Sequence, residues 1–355
     1  MAAQGSFAFL VHPRASIGDD LGRVWAPLRR VPERFYDAAL TSIPLPPVSV
    51  AKVYIGGERV GRIIMLPYGA RHLLAAPAQG RARVACAVDK AVALGADVVG
   101  LGALTATVTG AGVSLRRRTD IGVTNGNAYT AAVVDMQARR LLDEDGFSAA
   151  GRRVAVVGAS GSVGSAVTRL LARDGVVDGL TLIARSRPKL ESLAAEVGRQ
   201  VPTVVSADLR DAAESDLVIL LTASADALLR PEHLAPGAAV LDATQPRNTS
   251  RALLRLRPDV SIVDGGVVDI PSLRLAGADI GLPAGRAYAC FAETAMLALT
   301  GHQGHFCLGA PDLALVDRAR QLAEQLHALG FGPAEPTSFG EPLATRSLQP
   351  ERLAS

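Results

Sequence analysis

The amino-acid sequence predicts an α/β fold, and two observations lead to that prediction. From residue 151 onward, short apolar runs alternate with amphipathic stretches, which is typical of a parallel sheet covered by helices. A glycine-rich turn joins the first run to the next amphipathic stretch. Six runs are strand candidates, and six is the strand number of a Rossmann-like, doubly wound parallel sheet. The candidates are residues 153–157, 180–184, 203–206, 217–222, 239–243 and 261–264.

The rest of the chain is expected to form a smaller α/β domain and additional helices. Before the sheet, residues 84–94 and 128–142 are predicted helices and 97–101 a predicted strand. After it, we expect helices at 287–299 and 313–329 that pack back between the two domains. The expected organisation is a substrate-binding domain at 1–150, a cofactor domain at 151–270, C-terminal helices at 271–332 and a flexible tail at 333–355.

Composition excludes several classes of protein. The chain has 355 residues, of which 49% are hydrophobic and 20% charged, so it can bury a large core. Its apolar stretches fall short of the roughly 20 residues of a membrane span, and no signal peptide is evident, so we expect neither an integral membrane protein nor a secreted one. Three cysteines without metal-type spacing argue against disulfides and a metal site, which favours a cytoplasmic location.

Charge gives little indication of a macromolecular partner. The net charge is +3, and the densest basic run, residues 116–118, is interpreted as a solvated face. No aromatic residues lie among these arginines, so nucleic-acid binding is not expected. The same run is a candidate contact for an acidic carrier protein.

The glycine-rich turn is a candidate nucleotide-binding loop. Glycines allow backbone N–H groups to approach a pyrophosphate, and the N-terminus of the following helix favours its negative charge. The alternative is a tight turn without a ligand. The candidate cofactor contacts here are Gly158, Ser160, Gly161, Ser162, Val163 and Gly164.

The residues after the second strand candidate favour NADPH over NADH. An NAD enzyme usually has a carboxylate there that binds the ribose 2′-hydroxyl, whereas this chain has Arg185, Ser186 and Arg187. An arginine can bind a 2′-phosphate through two hydrogen bonds. The alternative is that these three residues are simply exposed to solvent at the start of a helix and bind no ligand. Thr222 and Ala223, after the fourth strand candidate, complete the expected cofactor contacts.

Cys290 is a candidate nucleophile because it lies near the start of a predicted helix. Backbone N–H groups at a helix N-terminus lower the pKa of a thiol and favour the thiolate that attacks carbonyl carbons. Glu293, on the same helical face, is a candidate for orienting a partner group, for acid/base work or for capping the first turn. The alternative is that Cys290 is a small buried apolar residue. Cys86, placed on an apolar helix face, and Cys307 are poorer candidates.

Two histidines precede Cys307 in a predicted loop. His302 and His305 are candidates for proton transfer or metal binding, but no carboxylate lies beside them in the sequence. A position on the loop surface is therefore the preferred interpretation.

The chain resembles the cyanobacterial long-chain acyl-(acyl-carrier-protein) reductases, which form aldehydes. The similarity is distributed over most of residues 7–309 and includes the glycine-rich turn and the cysteine segment Tyr-Ala-Cys-Phe-Ala-Glu. The segments that carry it are residues 101–105, 124–130, 156–166, 184–186, 264–268 and 288–293.

The resemblance implies a function for the two features together. Cys290 would accept an acyl group from an acyl-carrier protein or acyl-CoA, and hydride from NADPH would then release an aldehyde. A downstream enzyme would consume that aldehyde. Within the resembling segments, Gly102, Thr105, Asn127 and Tyr129 are candidate substrate contacts.

This sequence also departs from the resembling family. That family typically has histidine where this chain has Tyr129, and tryptophan and asparagine where it has His302 and His305. A shorter, branched or functionalised acyl group, in a pocket walled by aliphatic side chains of 101–108, is therefore an open alternative.

A shikimate-type NADP dehydrogenase and a non-catalytic nucleotide-binding protein are the competing functions. A glutamyl-tRNA reductase fits less well, because it should carry its catalytic cysteine near the N-terminus and this chain has no cysteine before Cys86.

Overall fold

The computed structural model describes residues 5–13, 45–143, 152–222 and 228–343, together with residues 27, 30–32 and 35. It divides the chain into two compact units, each assembled from separate segments. The first comprises Met1–Tyr129, Val268–Gly309 and Arg318–Gly332, and the second Thr130–Val267, Ala310–Asp317 and Pro333–Ser355.

The boundary expected at residue 332 coincides with one between the units, and the boundary expected at residue 270 lies close to the observed one after Val267, whereas the boundary expected at residue 150 lies well after the observed one at Tyr129. The first boundary falls inside the helix Asn127–Asp143, so no linker marks it in the sequence. The chain later returns to each unit, which a contiguous division of the sequence does not anticipate.

The helices and strands have the following bounds. The strands are β1 (Phe7–Val11), β2 (Val48–Ile55), β3 (Glu58–Met65), β4 (Val98–Leu101), β5 (Gly122–Thr124), β6 (Arg153–Val157), β7 (Gly179–Ile183), β8 (Thr203–Ser206), β9 (Leu217–Leu220), β10 (Ala239–Asp242), β11 (Ser261–Asp264), β12 (Val267–Asp269), β13 (Arg274–Gly277), β14 (Arg286–Tyr288), β15 (Gly332–Pro333), β16 (Thr337–Ser338) and β17 (Glu341–Pro342). The helices are α1 (Ala70–Leu74), α2 (Pro77–Ala93), α3 (Leu104–Val108), α4 (Asn127–Asp143), α5 (Ser162–Arg173), α6 (Arg187–Val197), α7 (Arg251–Leu256), α8 (Ala289–Leu299) and α9 (Leu313–Gln325). In the described part of the chain, no helix combines the length and the apolar character that crossing a membrane requires.

The second unit contains a six-stranded sheet in which every pairing is parallel. The strand order is β11-β10-β9-β6-β7-β8. Counted from β6, this is the order 3-2-1-4-5-6 of a doubly wound Rossmann sheet, which confirms the predicted fold class. The six predicted strands are all present, with differences of one or two residues at some ends.

The first unit contains a mixed six-stranded sheet of order β13-β2-β3-β1-β4-β5. Strands β3, β1, β4 and β5 are parallel to one another, so their carboxyl ends lie at one edge of the sheet. Successive side chains of a strand point to opposite faces. Leu10 therefore joins the core under α2, whereas Phe7 and Phe9 pack edge-to-face on Phe291 of α8.

Helix α8 belongs to the core of the first unit and runs antiparallel to β1 and β4. At its carboxyl end, the backbone oxygen of Ala298 lies 3.3 Å from an ideal Cβ built on Gly5, just before β1. At its amino end, Cys290 lies against Gly126, just after β5. The N-terminus of α8 is thus at the carboxyl edge of the sheet.

The tail expected to be flexible from residue 333 is partly structured. Strands β16 and β17 form a short hairpin, and Thr337, Phe339 and Gly340 donate hydrogen bonds to the Asp264 side chain. Apolar and aromatic residues in 331–339 and these donors stabilise the segment, which the Pro- and Ser-rich composition did not indicate. Residues 344–355 lie outside the described part of the chain.

Candidate active site and cofactor-binding loop

Cys290 is the second residue of α8 and is half-buried, whereas residues 291–299 of the same helix are buried. The structure describes all three cysteines, and none of them forms a disulfide bond. Cys86 is exposed on α2, so its expected position on an apolar face is wrong: the buried stripe of α2 is formed by Val84, Ala87, Val88 and Ala91. Cys290 therefore combines a helix N-terminus with access to solvent.

The loop after β5 packs directly on Cys290. An ideal Cβ built on Gly126 would lie 2.2 Å from Cβ of Cys290 and 2.4 Å from its Cα, and Gly126 has a φ of +77°. Only glycine satisfies both the conformation and the contact. Gly126 is therefore the residue that allows the loop to contact the cysteine backbone.

Glu293 binds the start of helix α4 and does not cap its own helix. Its side chain is fully buried, and it accepts hydrogen bonds from the Thr124 hydroxyl and from the Tyr129 backbone N–H at 2.7 Å. Burial raises the pKa of Glu293 to about 7, although hydrogen bonds from Thr124 and from the backbone at Tyr129, Gly126 and Ala128 oppose this shift. The expected acid/base group is thus a buried link between α8 and the loop 124–129.

Asn125 holds the other side of the same loop. Its Nδ2 atom donates to the backbone oxygens of Ala111 at 2.9 Å and Gly309 at 2.8 Å, and its backbone N–H donates to the Cys307 oxygen at 3.0 Å. Burial, and secondarily the charge of Glu293, raise the pKa of the Cys307 thiol. Cys307 is therefore a neutral, buried thiol, and Cys290 is the better candidate for a nucleophile.

The four candidate substrate contacts lie at the same edge of the sheet, but two of them are buried side chains. Thr105 is buried, and its hydroxyl donates to the Gly102 oxygen at 2.8 Å. Asn127 is half-buried beside Gly126. Tyr129 is fully buried, and its hydroxyl has no hydrogen-bond partner within the described residues.

The expectation that aliphatic side chains of residues 101–108 wall an acyl pocket needs correction at both ends of this segment. Leu101 and Val108 are 1% and 8% exposed and belong to the packed core of the first unit, together with Val84 and Val88. They are covered by α2, so these two side chains do not line an acyl pocket.

A histidine that the sequence analysis missed lies at the same edge. His12 follows β1; its Nδ1 lies 2.7 Å from the Pro13 oxygen, and the Leu104 N–H donates to its Nε2 at 3.3 Å. The sequence feature that could have identified it is a histidine directly after the apolar run 7–11.

His305 has both ring nitrogens within 3.2 Å of backbone atoms, namely the Val123 nitrogen and the Arg116 oxygen, which indicates a structural role.

In the second unit, the three glycines of the turn after β6 have separate roles. Gly158 has a φ of +91°, and a Cβ built on it would lie 2.7 Å from the Leu221 carbonyl carbon. A Cβ on Gly164 would lie 2.3 Å from the Gly158 oxygen, whereas Gly161 is exposed at the N-terminus of α5. At Gly158 and Gly164 a side chain would collide with the protein's own backbone, whereas Gly161 leaves the N-terminus of α5 open to a ligand. Tight turn, open helix N-terminus and close helix–strand packing are the three glycine roles of a dinucleotide-binding loop, so the loop fits a dinucleotide. Ser160, Ser162 and Val163 are partly exposed around it.

The two arginines after β7 differ in their environment. Arg187 is bound to Glu191 at 2.8 Å, one turn along α6. Arg185 is exposed, and within the described part of the chain its side chain forms no hydrogen bond or ion pair. Ser186 is half-buried at the N-cap of α6. Thr222 lies beside Gly158, as expected, whereas Ala223 is outside the described residues.

Comparisons with known proteins agree with this domain assignment. A family model described as the NAD-binding domain of semialdehyde dehydrogenase matches residues 153–263, so this segment is an NAD(P)-binding domain of oxidoreductase type. The chain is 30% identical over 295 residues to an enzyme named aminotransferase PigE from a Serratia species, with 81% of this chain and 34% of that protein covered. It is 29% identical to a long-chain acyl-[acyl-carrier-protein] reductase from Synechococcus elongatus, with 59% of this chain and 61% of that protein covered. The chain thus spans about a third and about three fifths of these two relatives.

Solved structures show similarity in fold only. One of the subunits of dipicolinate synthase from Bacillus halodurans is 18% identical, with 46% of this chain and 56% of that chain covered and a TM-score of 0.33. The nucleotide-binding domain of glutamyl-tRNA reductase from Thermoplasma volcanium is also 18% identical, with 38% and 84% covered and a TM-score of 0.28.

Proposed function

We propose that this protein is a cytoplasmic enzyme that reduces an acyl thioester to an aldehyde with NADPH, through an acyl group bound covalently to Cys290. The observation that carries the proposal is the position of Cys290: a half-buried thiol in the first turn of α8, at the carboxyl ends of the parallel strands of the mixed sheet. The similarity to an acyl-carrier-protein reductase over three fifths of both chains supports the same chemistry.

The residues of the first unit have separate roles in this proposal. The Cys290 sulfur attacks the carbonyl carbon of the substrate thioester, and the thiol of acyl-carrier protein or coenzyme A leaves as the acyl-enzyme forms. When bound, NADPH supplies hydride to the acyl carbon. The tetrahedral hemithioacetal on Cys290 then carries a negatively charged oxygen. This oxygen forms the aldehyde C=O as the C–S bond breaks, and the electron pair of that bond returns to the Cys290 sulfur as the thiolate. The aldehyde passes to a downstream enzyme.

Glu293 acts as a positioning residue. Its carboxyl oxygens hold the loop 124–129 through Thr124 and Tyr129, and this loop contacts Cys290 through Gly126. Because Glu293 is fully buried and all its contacts are with the protein, it keeps the loop against the cysteine and does not touch the substrate. Asn127, half-buried at the start of α4, is the proposed substrate contact in this segment. The Tyr129 side chain is fully buried and supports the segment from the interior, and Gly102 and Thr105 shape the neighbouring turn after β4.

The preference for NADPH rests on Arg185. This guanidinium has no acidic partner among the described residues, which leaves it available for a 2′-phosphate, whereas Glu191 binds Arg187. Arg185→Ala is expected to weaken NADPH binding by on the order of 10-fold and leave NADH binding unchanged. Arg187→Ala is the matched control, and an equal loss in both variants would contradict the assignment.

The proposed activity is tested by mixing the protein with NADPH and a panel of acyl-CoA and acyl-carrier thioesters, and measuring NADPH oxidation together with aldehyde. The proposal expects acyl-dependent oxidation that Cys290→Ser abolishes and that the exposed-cysteine control Cys86→Ser retains. Oxidation of a hydroxy acid by NADP would instead indicate a dehydrogenase of the shikimate type. NADPH binding without turnover of any thioester would indicate a non-catalytic nucleotide-binding protein.

A further inference from the structure

Two buried aspartates end neighbouring strands of the Rossmann sheet. Asp242 is the last residue of β10 and Asp264 the last residue of β11, and their side chains are close to fully buried. In a doubly wound sheet the ligand lies beyond the carboxyl ends of the strands, and the half that contains β9, β10 and β11 takes the nucleotide opposite the glycine-rich turn. The two aspartates are therefore on the nicotinamide side of the cofactor domain.

Asp242 folds the loop that follows its own strand. Its carboxylate accepts hydrogen bonds from the backbone N–H groups of Thr244 at 3.1 Å, Asn248 at 3.0 Å and Thr249 at 3.0 Å, and from the Thr249 hydroxyl at 2.7 Å. The backbone oxygen of Asn248 in turn accepts a hydrogen bond from the Leu228 N–H at 3.0 Å, beyond the end of β9. One buried carboxylate thus organises the segments after two strands of this half.

Asp264 joins this loop to the C-terminal hairpin. Its carboxylate forms an ion pair with Arg247 in the loop. The same carboxylate accepts hydrogen bonds from the Thr337 hydroxyl at 2.8 Å, the Phe339 N–H at 3.0 Å and the Gly340 N–H at 2.7 Å. Asp264 therefore connects residues 337–340 to the loop after β10 through one carboxylate.

The aromatic ring of the hairpin strengthens the same connection. The guanidinium carbons of Arg247 and Arg251 each lie 5.2 Å from the centroid of the Phe339 ring. Phe339 has a φ of +51°, which is unusual for a residue with a bulky side chain. Hydrogen bonds at Phe339 and Gly340 hold this turn on Asp264.

We propose that the C-terminal hairpin, β16 and β17, is a positioning element for the nicotinamide half of the cofactor site, acting through Asp264 and Arg247 on the loop after β10. This inference rests on the proposed function, because it assumes that the second unit binds NADPH. It assigns a role in cofactor placement to a segment far in sequence from the glycine-rich turn. The hairpin does not act on the adenine half, which the turn after β6 and Arg185 bind.

The test measures the dissociation constants of two ligands by calorimetry: NADPH, and 2′,5′-ADP, which lacks the nicotinamide. A variant that weakens only NADPH binding affects the nicotinamide half of the site. Asp264→Ala removes the whole connection, and Thr337→Val removes one hydrogen bond with little change in shape. Glu335→Ala is the matched control, because Glu335 lies outside the hairpin and its exposed ion pair is with Arg140, which has no part in this connection. The control should leave both dissociation constants unchanged. Fluorescence of the bound reduced nicotinamide reports its environment in each variant.

The inference expects the NADPH dissociation constant to rise on the order of 10-fold in Asp264→Ala and less in Thr337→Val, with the affinity for 2′,5′-ADP retained. Retained 2′,5′-ADP binding also shows that the variant is folded, and Thr337→Val carries the test if Asp264→Ala does not fold. Equal weakening of both ligands, or unchanged NADPH binding in both variants, would overturn the inference. If the unmodified protein bound neither ligand, the proposed cofactor itself would be wrong.

Discussion

Glu293 has its carboxyl group fully buried and surrounded by four hydrogen-bond donors, namely the Thr124 hydroxyl and the backbone N–H groups of Gly126, Ala128 and Tyr129. The donors favour the charged form, but burial outweighs them, and the pKa is raised to about 7. Near neutral pH the group therefore exists in both protonation states. The contact between α8 and the loop 124–129 is consequently sensitive to pH.

The raised pKa of Glu293 predicts a pH-dependent stability. In the unfolded chain the carboxyl loses its proton near its ordinary pKa of 4.5, whereas in the folded protein it retains it until about 7. The free energy of unfolding should therefore fall as pH rises between these values, by up to about 3 kcal/mol relative to Glu293→Gln. Urea unfolding of both proteins from about pH 4 to about pH 8 measures this difference. A difference that stays constant with pH would contradict the role of burial.

Helix α8 can lie this close to the sheet because glycines face it. A Cβ built on Gly100 of β4 would lie 2.0 Å from Thr294 Oγ1, and one on Gly126 would lie 2.2 Å from Cβ of Cys290. Small residues at these two positions determine where the N-terminus of the helix, and with it the thiol, is placed.

Gly126→Ala is expected to displace α8 or the loop after β5. Gly57→Ala is the matched control: Gly57 also has positive φ, of +86°, but a Cβ there would meet nothing within 4 Å. The control should lose about 1 kcal/mol of unfolding free energy from backbone strain alone. Gly126→Ala should lose about 1–3 kcal/mol more, because the added methyl group collides with Cys290. Equal losses in denaturant unfolding would show that the contact is not tight.

The second unit was predictable from sequence because parallel strands covered on both faces appear as short apolar runs. The first unit was less predictable, because β2 and β3 form an antiparallel pair in which several exposed positions interrupt the apolar run. The pair Gly56-Gly57 between them is a typical two-residue hairpin turn and was an unused signal. The contacts of Glu293 with residues 124–129 could not be predicted, because they join positions more than 160 residues apart in the chain.

At the scale of the whole molecule, the residues of the proposed reaction are divided between two units that each contain a six-stranded sheet. The thiol and the loop that contacts it belong to the first unit, and the glycine-rich turn and Arg185 belong to the second. Because both units are assembled from separate chain segments, a contiguous division of the sequence does not describe them, although the boundary expected at residue 270 lies close to the observed one after Val267. Acyl transfer to Cys290 and binding of NADPH can nonetheless be tested separately.

Acyl transfer to Cys290 is the claim on which the proposed function depends. Intact-mass spectrometry of the protein mixed with an acyl thioester, in the absence of NADPH, measures it directly, and peptide mapping locates the adduct. We predict one acyl group per chain, attached to Cys290, lost on addition of NADPH and absent from Cys290→Ser. An adduct that maps to the exposed Cys86, or one that persists in Cys290→Ser, would contradict the account.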